Sequence, residues 1–414
     1  VTAVPAFAQG DAQAASWPKV ESSEAAKKYF DRIKKGEFDN ESKTFLEQVA
    51  LPQLAIEGNR RQIERIRRRM RDMLLNEKTS EAAALDQASK TAIDWLVLQA
   101  GNAQAEPVVR VNAVLLVGEL RGKDGRPWPG AIGPLAAVMS DEKLPAGVRV
   151  AAAAGLARHV EAARAAGRPD ATVAKMAAPL LAVIGSPVSA ADGAAGDWLA
   201  SRALDMLPAV APQATPEAAK AVMAVLSDST RPVDVRVRAA AALGATATAA
   251  SNVDAGEAVS RIRGLASEAL KADITAATER ALTARMSGQP MPMAAPGFEG
   301  AGPGFPGEFG GGQGTGTAVD DPIDELIVRR DAWRLMTLAT AVATADGSAG
   351  LAALLSGEAA TRSKAIAQTL RESALALDRS LDAASMKQAF AAIERLAAAA
   401  APPAQRPASA PARG

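Results

Sequence analysis

SDEKLPAGVRVAAAAGL, Ser140 to Leu156, sets a polar turn and a proline ahead of a valine-flanked arginine and a block of alanines. Alanine has the highest intrinsic helix propensity, and Pro145 suits the first helical turn, where a missing N–H costs nothing. Val148, Ala152 and Leu156 then fall at i, i+4 and i+8 on one stripe, and the small residues between them let a second helix come close. Arg149, at the start of that stripe, is the residue such a pattern leaves unexplained.

A second stretch answers part of the question. Ser227-Asp228, Pro232 and Val235-Arg236-Val237 repeat Ser140-Asp141, Pro145 and Val148-Arg149-Val150 with the same spacing from Asp to Pro and from Pro to Arg. A looser copy, EPVVRVNAVLLVGEL (Glu106 to Leu120), carries Pro107 ahead of Val109-Arg110-Val111, and a fourth, GDWLASRALDML (Gly196 to Leu207), keeps only the apolar rhythm. Each copy follows another apolar helical run: AIDWLVLQA, IGPLAAVMS, MAAPLLAVIG and AKAVMAVLS. The unit is therefore helix, short polar turn, helix, recurring every 35 to 50 residues or so, the range of helical-pair arrays. A lone pair cannot bury both apolar faces, whereas stacked pairs can.

Pro134 in the first helix, Asp141 in the turn, Pro145 ahead of the second, then Val148-Arg149 and Leu156, together with Asp228, Pro232, Val235-Arg236 and Leu243, resemble HEAT repeats. The resemblance covers roughly Ala82 to Thr246 and is partial in the first and third copies, where the turn Asp or the Arg is missing. It implies an α-solenoid in which the turn Asp and helix Arg are structural and form ladders between neighbouring repeats. Arg110, Arg149 and Arg236 become recurring packing positions, and no catalytic residue comes with them.

Composition agrees with an all-α chain: 48% of residues are hydrophobic but only 3% aromatic, so burial rests on Ala, Leu, Val and Ile. Forty-seven basic against 46 acidic residues leave a formal charge of +1, no global field for nucleic acid or an anionic membrane. Without cysteine there is no disulfide framework, and the single histidine, His159, makes no metal cluster. No cofactor or metal is implied, no stretch is apolar enough for a transmembrane span, and a small-molecule substrate is disfavoured.

The expected organisation is an export-signal remnant and unstructured N-terminus (1–21), an N-terminal helical segment (22–80), HEAT-like repeats (81–254), a long helix (255–286), a Gly/Pro-rich insertion (287–319), C-terminal helices (320–400) and an unstructured tail (401–414). Ala6-Phe7-Ala8 fits a signal-peptidase pattern, which points to an exported, periplasmic or extracellular protein of bacterial type. The long helix and the helix opened by Asp320-Asp321-Pro322 are expected to form an antiparallel hairpin, with the Gly/Pro-rich run at its tip.

Chemistry is sparse in this pattern. Asp320, Asp321, Asp324 and Glu325 read as helix capping, and His159 as a surface or capping residue at a helix end. Phe298, Phe305 and Phe309 are spaced along the Gly/Pro-rich insertion, which reads as a tolerated loop. The segment NRRQIERIRRRMRDMLL (Asn59 to Leu75) puts Ile63, Ile66, Met70, Met73 and Leu74 on one stripe and sets Arg60, Arg61, Arg65, Arg67, Arg68, Arg69 and Arg71 against Glu64 and Asp72. Those arginines are the candidate partner- or anion-binding residues; the competing reading is a solvated face neutralised by neighbouring acids. Nucleic acid is disfavoured because no aromatics interleave with them. The expected function is a non-enzymatic, protein-binding scaffold or adaptor. The alternatives are a binder of anionic surfaces through Arg60–Arg71, and an enzyme using carboxylates on the concave face.

Overall fold

The computed structural model describes residues 17–167, 171–186, 193–287, 322–380 and 383–400, and is all-α. The export pattern at Ala6-Phe7-Ala8, the three phenylalanines of the Gly/Pro-rich run, Asp320-Asp321 and the Pro/Ala-rich tail lie outside the described residues. Among those described, no residue lies in a β-strand beyond one isolated bridge between Arg121 and Pro127, and no helix is long and apolar enough to cross a membrane. The chain divides into two compact units, residues 1–225 and 226–414, and the division falls inside the helix Pro216–Ser227.

In the first unit, α1 (Glu24–Lys34) starts at Ser23, whose hydroxyl accepts the Ala26 N–H. It buries Ala26, Tyr29 and Ile33; Phe30, which the apolar spacing favoured, is only half-buried. Tyr29 reaches the core because its hydroxyl has an acceptor there, the Leu74 carbonyl at 2.8 Å. Phe45–Leu54 does not continue as a plain α-helix: it widens into a π-turn over Phe45–Ala50 and tightens into a 3₁₀ turn over Leu51–Leu54. Pro52, which has no N–H to continue the ladder, sits where the spacing changes. The arginine-rich stretch opens as a 3₁₀ turn, Glu57–Gln62, and becomes α2 over Ile63–Leu74.

Helix pairs follow: α3 (Ala82–Gly101) with α4 (Pro107–Val117), α5 (Ile132–Ser140) with α6 (Ala146–Ala165), and α7 (Ala177–Gly185) with α8 (Gly193–Val210). Each first helix packs on its own second helix. Second helices pack in order, α4 on α6 and α6 on α8; first helices do the same, α3 on α5 and α5 on α7. Two helical layers result, and α6, which touches α4, α5 and α8, is buried almost all round, Val148, Ala152 and Leu156 included. Pro145 and Pro232 stand one residue ahead of their helices with extended ψ, rather than inside the first turn, while Pro107 opens α4. Pro134 lies within the first turn of α5. Helix α9 (Pro216–Ser227) ends the unit.

The second unit is built from α10 (Val233–Thr246), α11 (Ala255–Ser287), α12 (Pro322–Val342), α13 (Gly357–Ser380) and α14 (Ala383–Ala400). The long helix is one piece, as its unbroken periodicity predicts. It packs on α12, but α12 is held chiefly by α13 and α10, so the expected two-helix hairpin is part of a five-helix group. Helices α10 and α12 run the same way: Asp234 meets Arg334, the Arg238 guanidinium lies over the Trp333 ring, and Gly244 lies against Ala341.

Small residues set how closely these helices approach. A Cβ on Gly118 would stand 2.7 Å from the Gly155 Cα, and one on Gly244 would stand 2.3 Å from the Ala341 carbonyl oxygen. Gly264, on the exposed side of α11, has nothing within 4 Å of the same position. Two glycine-to-alanine changes in one unit should therefore act in opposite directions. Gly264→Ala should stabilise by roughly 0.5–1 kcal/mol, through helix propensity. Gly244→Ala should destabilise by about 1–3 kcal/mol or more, because backbone must move. Urea unfolding followed by circular dichroism separates the two, and equal signs would refute the close contact.

Candidate functional site

The recurrent arginines come first. Arg110, Arg149 and Arg236 are all more than nine-tenths buried. In each, Nε donates to the carbonyl ten residues earlier, at the last turn of the preceding helix: Ala100 at 2.9 Å, Met139 at 3.0 Å and Leu226 at 3.2 Å. Eight residues before each arginine stands a short polar side chain that closes the turn. Asp141 Oδ1 accepts the Lys143 N–H at 3.0 Å, and Asp228 Oδ1 accepts the Thr230 N–H at 2.9 Å and its hydroxyl at 2.6 Å. The Thr230 hydroxyl and N–H hold the Asp228 carboxyl below the usual carboxylate range. In the first pair, where the sequence lacks the aspartate, Asn102 Oδ1 accepts the Gln104 N–H at 3.0 Å. Asparagine does the same work, since only a side-chain acceptor is needed. Arg236 also reaches Glu268 of α11, at 2.7 and 2.8 Å from Nη1.

The arginine-rich helix divides its charge between two faces. Its buried side consists of Ile63, Ile66, Arg67, Met70 and Leu74; Met73 is half-buried, and Arg67, expected on the arginine-covered face, lies with the apolar stripe instead. Arg67 is there because Glu119, just past α4, pairs with it, while Arg71 reaches Glu119 at 3.6 Å and Asp72 at 2.8 Å. Arg60, in the 3₁₀ turn, pairs with Glu106 and lies 3.6 Å from Glu57. Arg68 pairs with Glu64 and Arg69 with Glu21. Arg61 and Arg65 are exposed, and among the described residues neither has a carboxylate within ion-pair distance; Arg65 donates to the Gln62 side chain.

Two further arrangements were not legible as sites. His159 is not at a helix end: α6 continues to Ala165, and His159 is 4% exposed. It lines a cavity of about 460 Å³ with Arg126, Ile132, Ala163 and Val173. In the second unit, Arg334 holds three helices together. Its Nε donates to Asp234 at 2.7 Å, and its Nη1 donates to Asp273 and Asp331, each at 2.8 Å; Arg330 reaches Asp273 at 2.7 Å. Asp331 is wholly buried, and its Oδ2 has no hydrogen-bond partner among the described residues. Burial and the adjacent Asp273 charge push its carboxyl up to about 7, against the pull of Arg334. A carboxyl enclosed in this way does not meet a substrate; the cluster ties helices. The stretch RRDAWR (Arg329–Arg334) showed half of it, but Asp234 and Asp273 come from distant helices.

No family model matches this chain, and neither does any curated protein sequence or solved structure.

The recurrent contact predicts that Arg149→Lys is not conservative. Lysine lacks the Nε–H at that depth, and the Met139 carbonyl loses a buried donor. A loss of about 1–3 kcal/mol is expected in urea unfolding. A second expectation concerns pH. The folded state holds a proton on Asp331 that the unfolded chain releases above about pH 4, so its contribution is full in acid and is lost as pH rises through about 7. Asp331→Asn should match the wild type near pH 4 and grow relatively more stable up to about pH 8. Parallel stability curves across that window would contradict the raised carboxyl.

Proposed function

We propose that this chain is a HEAT-like helical-repeat protein acting as a non-enzymatic scaffold or adaptor that binds another protein. The observation that carries the reading is the recurrence of one arginine-to-carbonyl contact, ten residues back, at the start of three helices, α4, α6 and α10. A unit reused in this way builds neighbouring helix faces of similar shape, the kind of surface that repeat proteins offer to partners. The buried guanidiniums and carboxylates of both units are engaged with one another or with backbone, which supports a structural use of groups that chemistry would otherwise need. Export rests on the Ala6-Phe7-Ala8 pattern and belongs to the same proposal.

The anionic-surface reading is favoured by one observation, the exposed Arg61 and Arg65. Enzymatic use of carboxylates draws less support, because the carboxyl whose affinity for protons is raised lies wholly inside the second unit.

The test is gentle crosslinking in native cells, followed by recovery of the full chain and mass spectrometry. A reproducible protein partner, with crosslinks mapping to residues of the helix pairs, is the expected result. Absence of enrichment over a matched helical control protein under several growth conditions overturns the proposal.

A further inference from the structure

Beside the outer face of α2 lies an open cavity of about 760 Å³, walled by Trp17, Pro18 and Glu21 on one side and by Arg65, Arg69 and Met73 on the other. The last three follow one another at i, i+4 and i+8, so Arg65 and Arg69 leave the helix about 6 Å apart along its axis, with Met73 one turn further on. Trp17 is 5% exposed and forms a recessed apolar wall, and its indole N–H has no acceptor among the described residues. Arg69 engages Glu21 through Nη2 alone, which leaves it further N–H donors. Arg65 bonds only to a neutral glutamine, and Arg61, one turn earlier, is likewise without a carboxylate. Every other arginine of this stretch already has an acidic neighbour.

We propose that this cavity is a docking site for a short acidic peptide segment of a partner protein, with two carboxylates held by Arg65 and Arg69 and an apolar side chain between Trp17 and Met73. The proposal rests on the protein-binding reading and names the partner's chemistry. Carboxylates two residues apart on an extended chain leave on the same side and are spaced by roughly 7 Å, close to the rise of about 6 Å from Arg65 to Arg69; the residue between them faces away, and an apolar side chain two residues further on falls on the helix side, opposite Met73. Arginine's planar fork favours carboxylate over a diffuse field. Charge and shape both disfavour a membrane: Glu21, Glu64 and Asp72 interrupt the basic face, and a flat headgroup layer does not reach a recessed tryptophan. A nucleic acid needs an exposed ring on which bases stack, and the ring here is buried.

The probe is a fluorescein-labelled peptide, Gly-Ser-Glu-Ser-Glu-Ser-Leu-Gly-Ser, titrated with the full chain and read by anisotropy. Saturable binding that weakens with added salt is expected, as is a loss of about tenfold or more when glutamine replaces both glutamates of the peptide and for the Arg65→Ala/Arg69→Ala double variant. Arg126→Ala, an exposed arginine elsewhere in the same unit, should leave binding unchanged, and thermal melts should show the double variant folded. No saturation up to about 1 mM, equal binding of the glutamine peptide, or equal binding by the double variant overturns the proposal. So does tighter binding of phosphatidylserine vesicles or oligo-dT that the same double variant loses. A crosslinked partner whose contacts map away from α2 would sink this site while leaving the scaffold reading standing.

Discussion

The end of a helix leaves carbonyls without N–H partners, and in a stack of helices some of those ends are buried. The contact from Arg110, Arg149 or Arg236 to the carbonyl ten residues earlier meets that constraint. A guanidinium is drawn to the negative end of a helix, and its Nε–H supplies the donor that backbone geometry cannot. Because the arginine belongs to the following helix, one hydrogen bond joins the finish of one helix to the start of the next. The Asn or Asp at the turn fixes the path between them by accepting the N–H two residues on. Pair geometry then rests on a few polar atoms, and the apolar stripes are free to be small.

Small stripes are what the rest of the packing uses. Gly118 against Gly155 and Gly244 against Ala341 bring backbones to distances that no side chain would permit. Alanine layers bury less surface per residue than large aliphatics or rings, so stability has to come from many close approaches rather than from a few large anchors. Two buried aromatics each set their polar atom on an acceptor: Tyr29 on the Leu74 carbonyl, and Trp128, whose indole donates to Asp86 at 2.9 Å.

The all-α class, the helix pairs and the recurring arginine were legible because each depends on local spacing: turn, proline, arginine and alanine fall within one short window. The identity of this acceptor was not, since the resemblance implies ladder contacts between repeats and is silent on a bond back within the pair, such as that from Arg149 to Met139. Asn102 went unnoticed because the pattern was read as aspartate, although the turn requires only an acceptor. Arg67 was assigned to the surface by residue type; its burial depends on Glu119, fifty-two residues away. The Asp234, Asp273, Asp331 and Arg334 cluster failed for the same reason. Long-range ion pairs have no period, and a sequence shows them only as isolated charges.

Charge placement links the interior to the surface. An arginine turned inward costs desolvation unless a carboxylate or carbonyl meets it, and Arg67, Arg149, Arg236 and Arg334 are all met in that way. On the outer face of this stretch water removes that requirement, and a guanidinium can stay without a carboxylate partner at little cost. Arg61 and Arg65 are in that state within a stretch whose other arginines are matched. Folding explains the matched set and is indifferent to the unmatched one. If the unmatched arginines serve a purpose, it lies in something that approaches from outside, and two guanidiniums above an apolar recess ask that visitor for carboxylates first and a hydrophobic side chain second.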